Sequence, residues 1–306
     1  MNGIRSIFEK IFFYNHWTVA WRRVADGEAD FPESGTEQTY RVVPCEKGFW
    51  QADPFLVSEN GKTFLFTEYM PFHSKHAYIA CQEFLGDGFG KAEIVLRENV
   101  HLSYPGVFKH NGSYYMIPEM LHSHEVCLYK ATEFPFKWVK EKTLLHMDSV
   151  DSTVFSENGK LFLYDPDNKR DFCRKLYYAD LNMESGTVSE PVLIREFPEK
   201  LGRPAGNVFC TDSGKQVRPA QDCRRCYGGS LEFRSFQITG EVLEEEVLST
   251  FGPDNVHSDL KYRATGLHTW NRCGNLEVID LFYKRSSVLK PLRAFVRKLK
   301  KGADGL

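Results

Sequence analysis

Residues 52–69 read ADPFLVSENGKTFLFTEY, and this stretch decides the fold. One apolar run leads into Asn60-Gly61 and a second leads out of it, which is the pattern of a β-hairpin with a tight turn. The pattern recurs at residues 103–119 (SYPGVFKHNGSYYMIPE), at residues 150–167 (VDSTVFSENGKLFLYDPD) and, more weakly, from Gly202 and from Gly266.

The turn glycines give the period of this repeat. They are Gly61, Gly112, Gly159, Gly214 and Gly274, at intervals of 51, 47, 55 and 60 residues. A period near fifty residues that opens each time with a hairpin is typical of a β-propeller with four-stranded blades. Between the hairpins, stretches such as HAYIACQEFLGDGFGKAEIVL supply the second pair of strands. The sequence therefore predicts an all-β, five-bladed β-propeller with short terminal helices.

Three segments are expected along the chain. They are an N-terminal helix and lead-in over residues 1–22, the propeller over 23–284 and a basic C-terminal helix over 285–306. Ile4, Ile7 and Ile11 recur at three- and four-residue steps, as on an amphipathic helix. In the last segment, Val288 and Leu292 begin an apolar face surrounded by Lys and Arg. Such a segment either packs on the domain with a solvated face, or binds anionic lipid or a partner groove.

Composition narrows the function classes. The net charge of −2 over 306 residues shows no overall basic character, so we expect no nucleic-acid partner, and any function based on charge must be local. The charged N-terminus does not resemble a signal peptide, and no apolar run is long enough to span a bilayer. The eight cysteines are scattered along the sequence, as expected for a protein that stays in the reducing environment inside the cell. We therefore expect a cytoplasmic protein, with peripheral membrane contact through residues 285–301 as an added feature.

The hairpins also predict where a site lies. The start of the first strand of a hairpin lies beside the end of the second, so polar residues at both positions should gather around the propeller axis. The residues at these positions are Asp53 with Glu68, Tyr104 with Glu119, Asp151 with Asp165 or Asp167, Arg203 with Arg218, and His268 with Tyr283. His101 lies near the same ring. A carboxylate at the mouth of an apolar strand, such as Asp53 or Asp151, is costly unless it is used or paired.

The segment RPAQDCRRCYGG, residues 218–229, follows the second strand of blade four. Gln221, Asp222 and Tyr227 offer hydrogen-bonding groups and an aromatic face that can grip sugar hydroxyls. Arg203 and Arg218 add positive charge, which favours a carboxylated sugar or a phosphate as a ligand feature. The spacing Cys223-x-x-Cys226 lacks a second cysteine pair, so we expect two buried cysteines, no metal site and no cofactor.

The motifs WQADPFLV and VDSTVF resemble the first and third blades of five-bladed glycoside hydrolases, including family 43 arabinanases and xylosidases. This resemblance implies that Asp53 is the general base and that Asp151 orients and tunes a catalytic glutamic acid on blade four. Where that family has Glu-Gly-Pro, this chain has Arg203-Pro204-Ala205-Gly206. Inverting hydrolysis needs both an acid and a base. Glu119 and Asp222 are the available replacements, and we assign the acid to Glu119.

A closer resemblance covers most of the chain. The stretches HLSYPGVFKHNGSYYMIPE, FPFKW (residues 134–138) and RPAQDCRRCYGGSLEF are similar to the N-terminal domain of glucosamine inositolphosphorylceramide transferase, a domain also found in bacterial sugar-modifying and formyltransferase-fused proteins. In the plant protein, this domain precedes a separate glycosyltransferase domain, which we do not expect in this chain. The resemblance implies work on glycans or glycolipids.

Three functions remain open. The first is a carbohydrate-active propeller of surface-polysaccharide or glycolipid metabolism, which binds a glycan or a nucleotide-sugar-derived substrate and hydrolyses or transfers a glycosyl unit. The second is a non-catalytic glycan-binding or assembly module that partners a separate glycosyltransferase or formyltransferase. The missing glutamic acid of blade four favours this second function. The third is a protein-interaction propeller, which predicts a plugged funnel.

Overall fold

A computed structural model describes residues 12–155, 159–165, 175–197 and 199–287, with Leu121 described by its backbone alone. Apart from a short 3₁₀ turn at Pro253–Asn255, every named element in these ranges is a β-strand. The strands form five blades around one axis, and the pairs are antiparallel except for one parallel pair in blade five. The prediction of a five-bladed propeller is confirmed.

The strands follow each other in chain order. The chain begins with β1 (Phe13–Arg23) and β2 (Gln38–Val42), which belong to blade five. Blade one is β3 (Phe49–Glu59), β4 (Lys62–Pro71), β5 (Tyr78–Glu83) and β6 (Glu93–Leu96). Blade two is β7 (His101–His110), β8 (Ser113–Leu121), β9 (Val126–Glu133) and β10 (Lys137–Leu145). Blade three is β11 (Val150–Val154), β12 (Lys160–Asp165), β13 (Lys175–Asn182), β14 (Thr187–Val188) and β15 (Val192–Glu196).

The last two blades are more irregular. Blade four is β16 (Leu201–Pro204), β17 (Phe209–Cys210), β18 (Gln216–Asp222), β19 (Ser230–Thr239) and β20 (Val242–Phe251). Blade five takes β21 (Val256–Ser258), β22 (Ala264–Gly266), β23 (Trp270–Cys273) and β24 (Leu276–Ser286), and β24 pairs with β1. The innermost strands of blades four and five are joined by a 2.8 Å hydrogen bond from the backbone N–H of Trp270 to the carbonyl of Ala205, which helps to close the ring.

Blade five is built from both ends of the described chain. β1 and β24 pair along their whole length, from Phe13 opposite Ser286 to Arg23 opposite Leu276. The predicted boundaries at residues 22/23 and 284/285 are therefore wrong, because β1 begins at Phe13 and β24 continues to Ser286. Residues 16–22 of β1 are all buried, as in a strand that is covered on both faces. The predicted terminal helices at residues 1–11 and 288–306 lie outside the described residues.

The hydrophobic core lies between adjacent blades. Between blades one and two, for example, Phe55 and Phe66 pack with Tyr104, Met116 and Trp138 in one buried cluster. Apolar surface buried between blades holds such a fold together at about 25 cal/mol per Å². The polar residues discussed below are therefore held by a packed scaffold rather than by flexible loops.

A β-bulge interrupts the inner hairpin of each of the first three blades at the same place. The register shifts between Ala52 and Phe55 in blade one, and blades two and three shift at the equivalent points. Asp53, Tyr104 and Asp151 lie in these bulges with φ of +49°, +44° and +49°. Non-glycine residues in this left-handed region cost about 1–3 kcal/mol each and tend to mark functional sites. The strain turns each residue toward the axis.

Gly202 occupies the bulge of blade four, with φ of +81°. An alanine Cβ there would lie 2.2 Å from Cζ of Phe197, whereas Gly214, with φ of +80°, has no atom within 4 Å of such a Cβ. We expect Gly214→Ala to lower the free energy of unfolding by about 1 kcal/mol, from backbone strain alone. Gly202→Ala should cost about 3 kcal/mol or more, because overpacking adds to the strain. Urea denaturation measures both, and equal losses would contradict the tight packing around Phe197.

Candidate functional site

Carboxylates from three blades bind the bulges of the blades that follow them. The backbone N–H of Asp53 donates to Oδ2 of Asp280 on blade five at 3.1 Å. The N–H of Tyr104 donates to Oδ2 of Asp53 at 3.1 Å, and that of Asp151 to Oε2 of Glu119 at 3.2 Å. Each bulge thus exposes a donor, and the preceding blade supplies a buried acceptor for it. We call Asp53, Glu119, Asp151 and Asp280 the carboxylate ring.

A buried histidine pairs with this ring at blade five. His268 Nδ1 lies 2.6 Å from Oδ2 of Asp280 and 3.6 Å from Oδ1 of Asp53. Its ring stacks on Trp17 with centroids 3.9 Å apart, an arrangement that favours an imidazolium over a π-face. Thr269 donates its hydroxyl to Oδ1 of Asp53 at 2.9 Å. Asp53 is therefore held by Thr269 and the N–H of Tyr104 and faces a cation.

Arg203 bridges the other side of the ring. Its Nε donates to Oδ2 of Asp151 at 2.5 Å and its Nη2 to Oδ1 of the same carboxylate at 3.0 Å. Nη2 also donates to Oε2 of Glu119 at 3.2 Å. Gln221 adds a bond from Nε2 to Oδ2 of Asp151 at 3.1 Å. A two-pronged guanidinium contact of this kind is a strong, oriented ion pair, and it holds Asp151 and Glu119 together.

Burial dominates the acidity of the ring carboxyls. Burial, together with smaller contributions from nearby carboxylates, raises the pKa of Asp53 to about 7 against the opposing effect of His268. Burial and the neighbouring Asp151 raise the pKa of Glu119 well above its ordinary value, although Arg203 opposes the shift. Near neutral pH, Asp53 is thus divided between its two protonation states, and Glu119 is a weaker acid than an exposed glutamic acid.

Burial acts on the histidines in the opposite direction, but their contacts with carboxylates outweigh it. Burial lowers the pKa of His268, but the ion pair with Asp280 outweighs it, and the pKa reaches about 9. Burial also lowers the pKa of His101, whereas its contact with Glu68 raises it, with a net upward shift. His101 Nε2 lies 3.0 Å from Oε1 of Glu68. His268 is therefore an imidazolium at neutral pH.

The rim of this site is more accessible than its floor. Asp53, Glu68, Glu119 and Asp151 are all buried, while His101, Arg203 and Asp222 are half-buried. The Tyr227 ring is 46% exposed and lies over the guanidinium of Arg203 at 5.7 Å and edge-on to His268 at 5.3 Å. The next residue, Gly228, holds this loop against Trp17, because a Cβ there would lie 2.8 Å from the indole. Tyr227 is therefore a fixed aromatic platform at the rim.

Three of the predicted site residues lie elsewhere or serve other contacts. Arg218 points between blades three and four, where it donates to Glu245 at 2.5 Å and to the carbonyl of Gly202 at 2.8 Å. Its placement in the funnel was wrong, because Arg218 pairs with Arg234 in the sheet and Arg203 pairs with Gln221. Asp222 forms a double hydrogen bond with Arg224 near the rim.

The Tyr104 side chain is directed toward the neighbouring blades. It is fully buried, and its hydroxyl contacts the hydroxyl of Thr153 at 3.0 Å and the backbone N–H of Gly206 at 2.8 Å. The Phe55 ring packs edge-on against it. Tyr104 thus contacts neighbouring blades through its hydroxyl, and its binding to a ligand stays a prediction.

Two other pairings also differ from the prediction. Asp280, not Tyr283, is the partner of His268, since Tyr283 lies opposite Ala264. In blade three, Tyr164 lies opposite Val150 and Asp165 lies opposite Lys175, whereas Asp167 lies outside the described residues.

Asp280 is the ring member that the sequence reasoning missed. A signal was present, because Glu68, Glu119 and Gln221 each lie seven residues after a turn glycine and Asp280 lies six after Gly274. A carboxylate inside LEVIDLFYK is also costly unless it is paired. Trp17 could not have been found this way, because it comes from the strand that closes the ring.

Two further groups bear on metal binding. Asp53, His268 and Asp280 place one ligand atom each within 4.8 Å of one another, close enough to share an ion. Because a protonated imidazole cannot ligate a metal, the raised pKa of His268 favours the ion pair with Asp280. Cys223 is buried and Cys226 is exposed, and both are free thiols. The prediction that both are buried was wrong for Cys226, which precedes the exposed Tyr227.

The described fold matches those of carbohydrate-active proteins. The catalytic domain of a GH62 α-L-arabinofuranosidase from Coprinopsis cinerea superposes with a TM-score of 0.55, covering 88% of this chain and 98% of that domain at 14% identity. A β-1,2-mannobiose phosphorylase from Listeria innocua gives a TM-score of 0.53 over 82% and 94% of the two chains, at 10% identity. The fold class is thus the five-bladed propeller that these proteins share.

The family follows from sequence. Residues 42–284 match the family described as glucosamine inositolphosphorylceramide transferase 1, N-terminal, and the chain belongs to that family. Glucosamine inositolphosphorylceramide transferase 1 of Oryza sativa subsp. japonica is 30% identical over 215 residues, and that of Arabidopsis thaliana is 28% identical over 228 residues. These alignments cover 67% and 72% of this chain but 29% of each relative. The chain spans less than a third of the length of these relatives.

Proposed function

We propose that this chain is a glycan-binding propeller that holds a glycosyl unit of a glycolipid or surface glycan at the funnel without cleaving it. The observation that carries the proposal is Arg203. It stands where the resemblance to family 43 propellers implies a glutamic acid, and its guanidinium is bonded to both Asp151 and Glu119. A carboxyl pair tied to one cation is poorly placed to work as an independent acid and base.

The ring geometry supports the same proposal. Both oxygens of Asp53 already accept hydrogen bonds, from Thr269 and from the N–H of Tyr104. A general base needs a lone pair directed at the attacking water. The floor of the funnel is therefore better suited to presenting fixed charges to a sugar than to activating water, and the Tyr227 ring adds a stacking surface at the rim.

The charged groups on the floor of the funnel limit the class of ligand that can bind. Five buried carboxyl groups line the floor against three cationic or ionisable groups, Arg203, His101 and His268. An anionic group about 4 Å from one carboxylate is repelled by roughly 4 kcal/mol at the effective dielectric of a protein surface. The unit that enters the funnel is thus a neutral or amino sugar, in place of the carboxylated sugar or phosphate that Arg203 and Arg218 alone indicated.

The relatives agree with a role in glycolipid metabolism. These relatives are named glucosamine inositolphosphorylceramide transferases, and the matched region is less than a third of each of them. We propose that the propeller supplies glycan recognition to a separate glycosyltransferase or formyltransferase, which supplies the chemistry.

Hydrolysis is the second candidate, and one observation favours it. Burial raises the pKa of Asp53 to about 7 and also raises the pKa of Glu119, and a general acid needs a carboxyl whose pKa is raised in this way. In this scheme Asp53 is the base, Glu119 the acid and Asp151 the supporting carboxylate.

One experiment separates the two functions. Wild type, Asp53→Asn and Tyr227→Ala are applied to a glycan array of neutral, amino and acidic sugars, and each hit is tested for turnover. We expect binding to neutral or amino sugars without cleavage, and about tenfold weaker binding by Tyr227→Ala, because an aromatic platform contributes about 1 kcal/mol. Asp53→Asn keeps the oxygen that accepts the Tyr104 N–H, so it should retain its fold.

Phe136→Ala is the matched control, since this ring is 42% exposed at the turn between β9 and β10, away from the funnel. It should bind as wild type does. Wild-type cleavage that disappears in Asp53→Asn would establish the hydrolase instead, and an array without any bound glycan would contradict both functions.

A further inference from the structure

The loop that carries the Tyr227 ring contains two cysteines that the proposed function does not use. Cys223 and Cys226 are separated by two arginines in the sequence, and both are free thiols. Cys223 is buried, whereas Cys226 is exposed. Two thiols at this spacing can exchange with a single disulfide, because the exposed thiol reacts first and the second thiol, a few residues away, completes the exchange.

The chain turns back on itself between these cysteines and Gly229. A Cβ placed on Gly229 would lie 2.9 Å from the carbonyl oxygen of Asp222 and 3.1 Å from that of Cys226. The backbone just before Cys223 and the backbone at Cys226 therefore approach the same point. A disulfide needs Cα atoms about 4.4–6.8 Å apart, whereas an extended chain separates residues three apart by about 10 Å. The folding of this loop thus favours a bond between the two cysteines.

The Cys223 sulfur also fixes the loop beside the funnel. It accepts a hydrogen bond from the N–H of Gly228 at 3.4 Å, and its thiol donates to Oε1 of Gln221 at 3.5 Å. The carbonyl of Gly228 in turn accepts the N–H of Leu267 on blade five at 2.8 Å. Since Tyr227 directly precedes Gly228, a movement of the Cys223 sulfur changes the position of the aromatic ring at the rim.

We infer that Cys223 and Cys226 form a reversible disulfide, and that forming it displaces the Tyr227 ring from the rim of the funnel. The new bond draws the Cys223 sulfur away from its backbone donor, so the contact that fixes this part of the loop is lost. Arg224 and Arg225 are exposed beside the pair and give the loop a local positive charge, which attracts an anionic oxidant such as glutathione disulfide. The effect on sugar binding rests on the proposed function, whereas the disulfide itself does not.

The exchange balances with glutathione disulfide as the oxidant. The Cys226 thiolate attacks one sulfur of the oxidant, forms a mixed disulfide and releases one glutathione thiolate. The Cys223 thiolate then attacks the Cys226 sulfur, closes the protein disulfide and releases the second glutathione. Two electrons pass from the protein to the oxidant, and the two thiol protons end on the two glutathione molecules. Burial raises the pKa of the Cys223 thiol, which suits the thiol that reacts second.

Equilibration of the full chain with mixtures of reduced and oxidised glutathione tests the inference. Free thiols are then blocked by alkylation, and the protein is digested with trypsin, which cuts after Arg224 and Arg225. A disulfide between Cys223 and Cys226 therefore joins two tryptic peptides, and reduction separates them. We expect this joined pair in wild type and its loss in Cys226→Ser. Cys223→Ser should instead retain glutathione on Cys226, since its partner thiol is missing.

Cys210→Ser is the matched control, because Cys210 is also an exposed free thiol of blade four but lies in β17, near the turn at Gly214. This variant should form the disulfide as wild type does. Hydrogen exchange in the oxidised protein should be at least about tenfold faster at the amides of Gly228 and Leu267, because both lose the acceptors that protect them.

Absence of the joined peptides in every glutathione mixture would overturn the inference. A disulfide that leaves the exchange of Gly228 and Leu267 unchanged would overturn the displacement of Tyr227. Sugar binding by the oxidised protein should be about tenfold weaker, as expected for Tyr227→Ala, and equal binding by both forms would show that the disulfide does not act on the site. If the disulfide forms and exchange increases but neither form binds a glycan, the proposed function fails and the disulfide is supported.

Discussion

Replacement of Arg203 by methionine should lower the free energy of unfolding by about 3–5 kcal/mol at pH 8, because it leaves the buried Asp151 and Glu119 without their shared cation. The loss should shrink as the pH falls toward 5. Without Arg203, both carboxyls take up protons more readily in the folded protein, and an acid whose folded pKa is raised stabilises the fold only while it is protonated. Urea titrations at several pH values measure this dependence.

Two variants give this experiment its contrast. Arg203→Lys retains the charge but loses the two-pronged contact with Asp151, so its loss should be smaller. Arg263→Met breaks a surface pair with Asp254, whose side chains are 84% and 70% exposed, and should change the stability by less than about 1 kcal/mol. An Arg203→Met protein as stable as wild type at pH 8 would show that the guanidinium does not offset the cost of burying Asp151 and Glu119.

Stability should fall as the pH rises from about 5 to 9, the reverse of the usual behaviour of proteins with paired carboxylates. The folded state raises the pKa of Asp53 to about 7, so protonated Asp53 favours the fold and this contribution is lost between pH 4 and 7. The folded state also raises the pKa of His268 to about 9, so its contribution is complete below 6.5 and is lost as the pH passes 9. Each shift corresponds to about 3–4 kcal/mol.

Asp53→Asn should remove the decrease in stability between pH 5 and 7 and preserve the decrease between pH 7 and 9. Thermal melts across this range are the measurement, and each kcal/mol corresponds to roughly 2 °C for a chain of this size. Asp254→Asn changes a carboxylate on the exposed surface and should leave the profile unchanged, since solvent screens it. A profile that is flat from pH 5 to 9 in wild type would contradict both shifts.

The local pattern of the sequence was sufficient to predict the architecture. Turn glycines such as Gly61 and Gly112 need a positive φ, and the apolar runs beside them alternate as strands do. The closure of blade five was not predictable in the same way. It depends on the pairing of Phe13–Arg23 with Leu276–Ser286, which lie at opposite ends of the chain, and no local signal reports a partner so distant.

The sequence predicted which residues form the candidate site better than it predicted the contacts that they make. Counting along hairpins brought Asp53, Glu119, Asp151 and Arg203 to one place, because the period of a strand fixes which end of the sheet a residue reaches. Arg218 lies only four residues after Gly214, and it is Gln221, seven residues after that glycine, that lies opposite Arg203 and bonds to Asp151. Nothing in the sequence marks a bulge at a non-glycine residue such as Asp151. These contacts could therefore be found only from the structure.

The bonds from each ring carboxylate to the bulge of the next blade have a consequence for how this family can diversify. The groups best placed to read a sugar also fasten neighbouring blades, through Asp280, Asp53 and Glu119 in turn. A mutation that adapts the floor to a new ligand therefore loosens the joint between two blades. Changes in preference should accumulate instead at Tyr227, His101 and Asp222, which fasten no bulge. Evolution can then alter the rim while the floor is inherited unchanged.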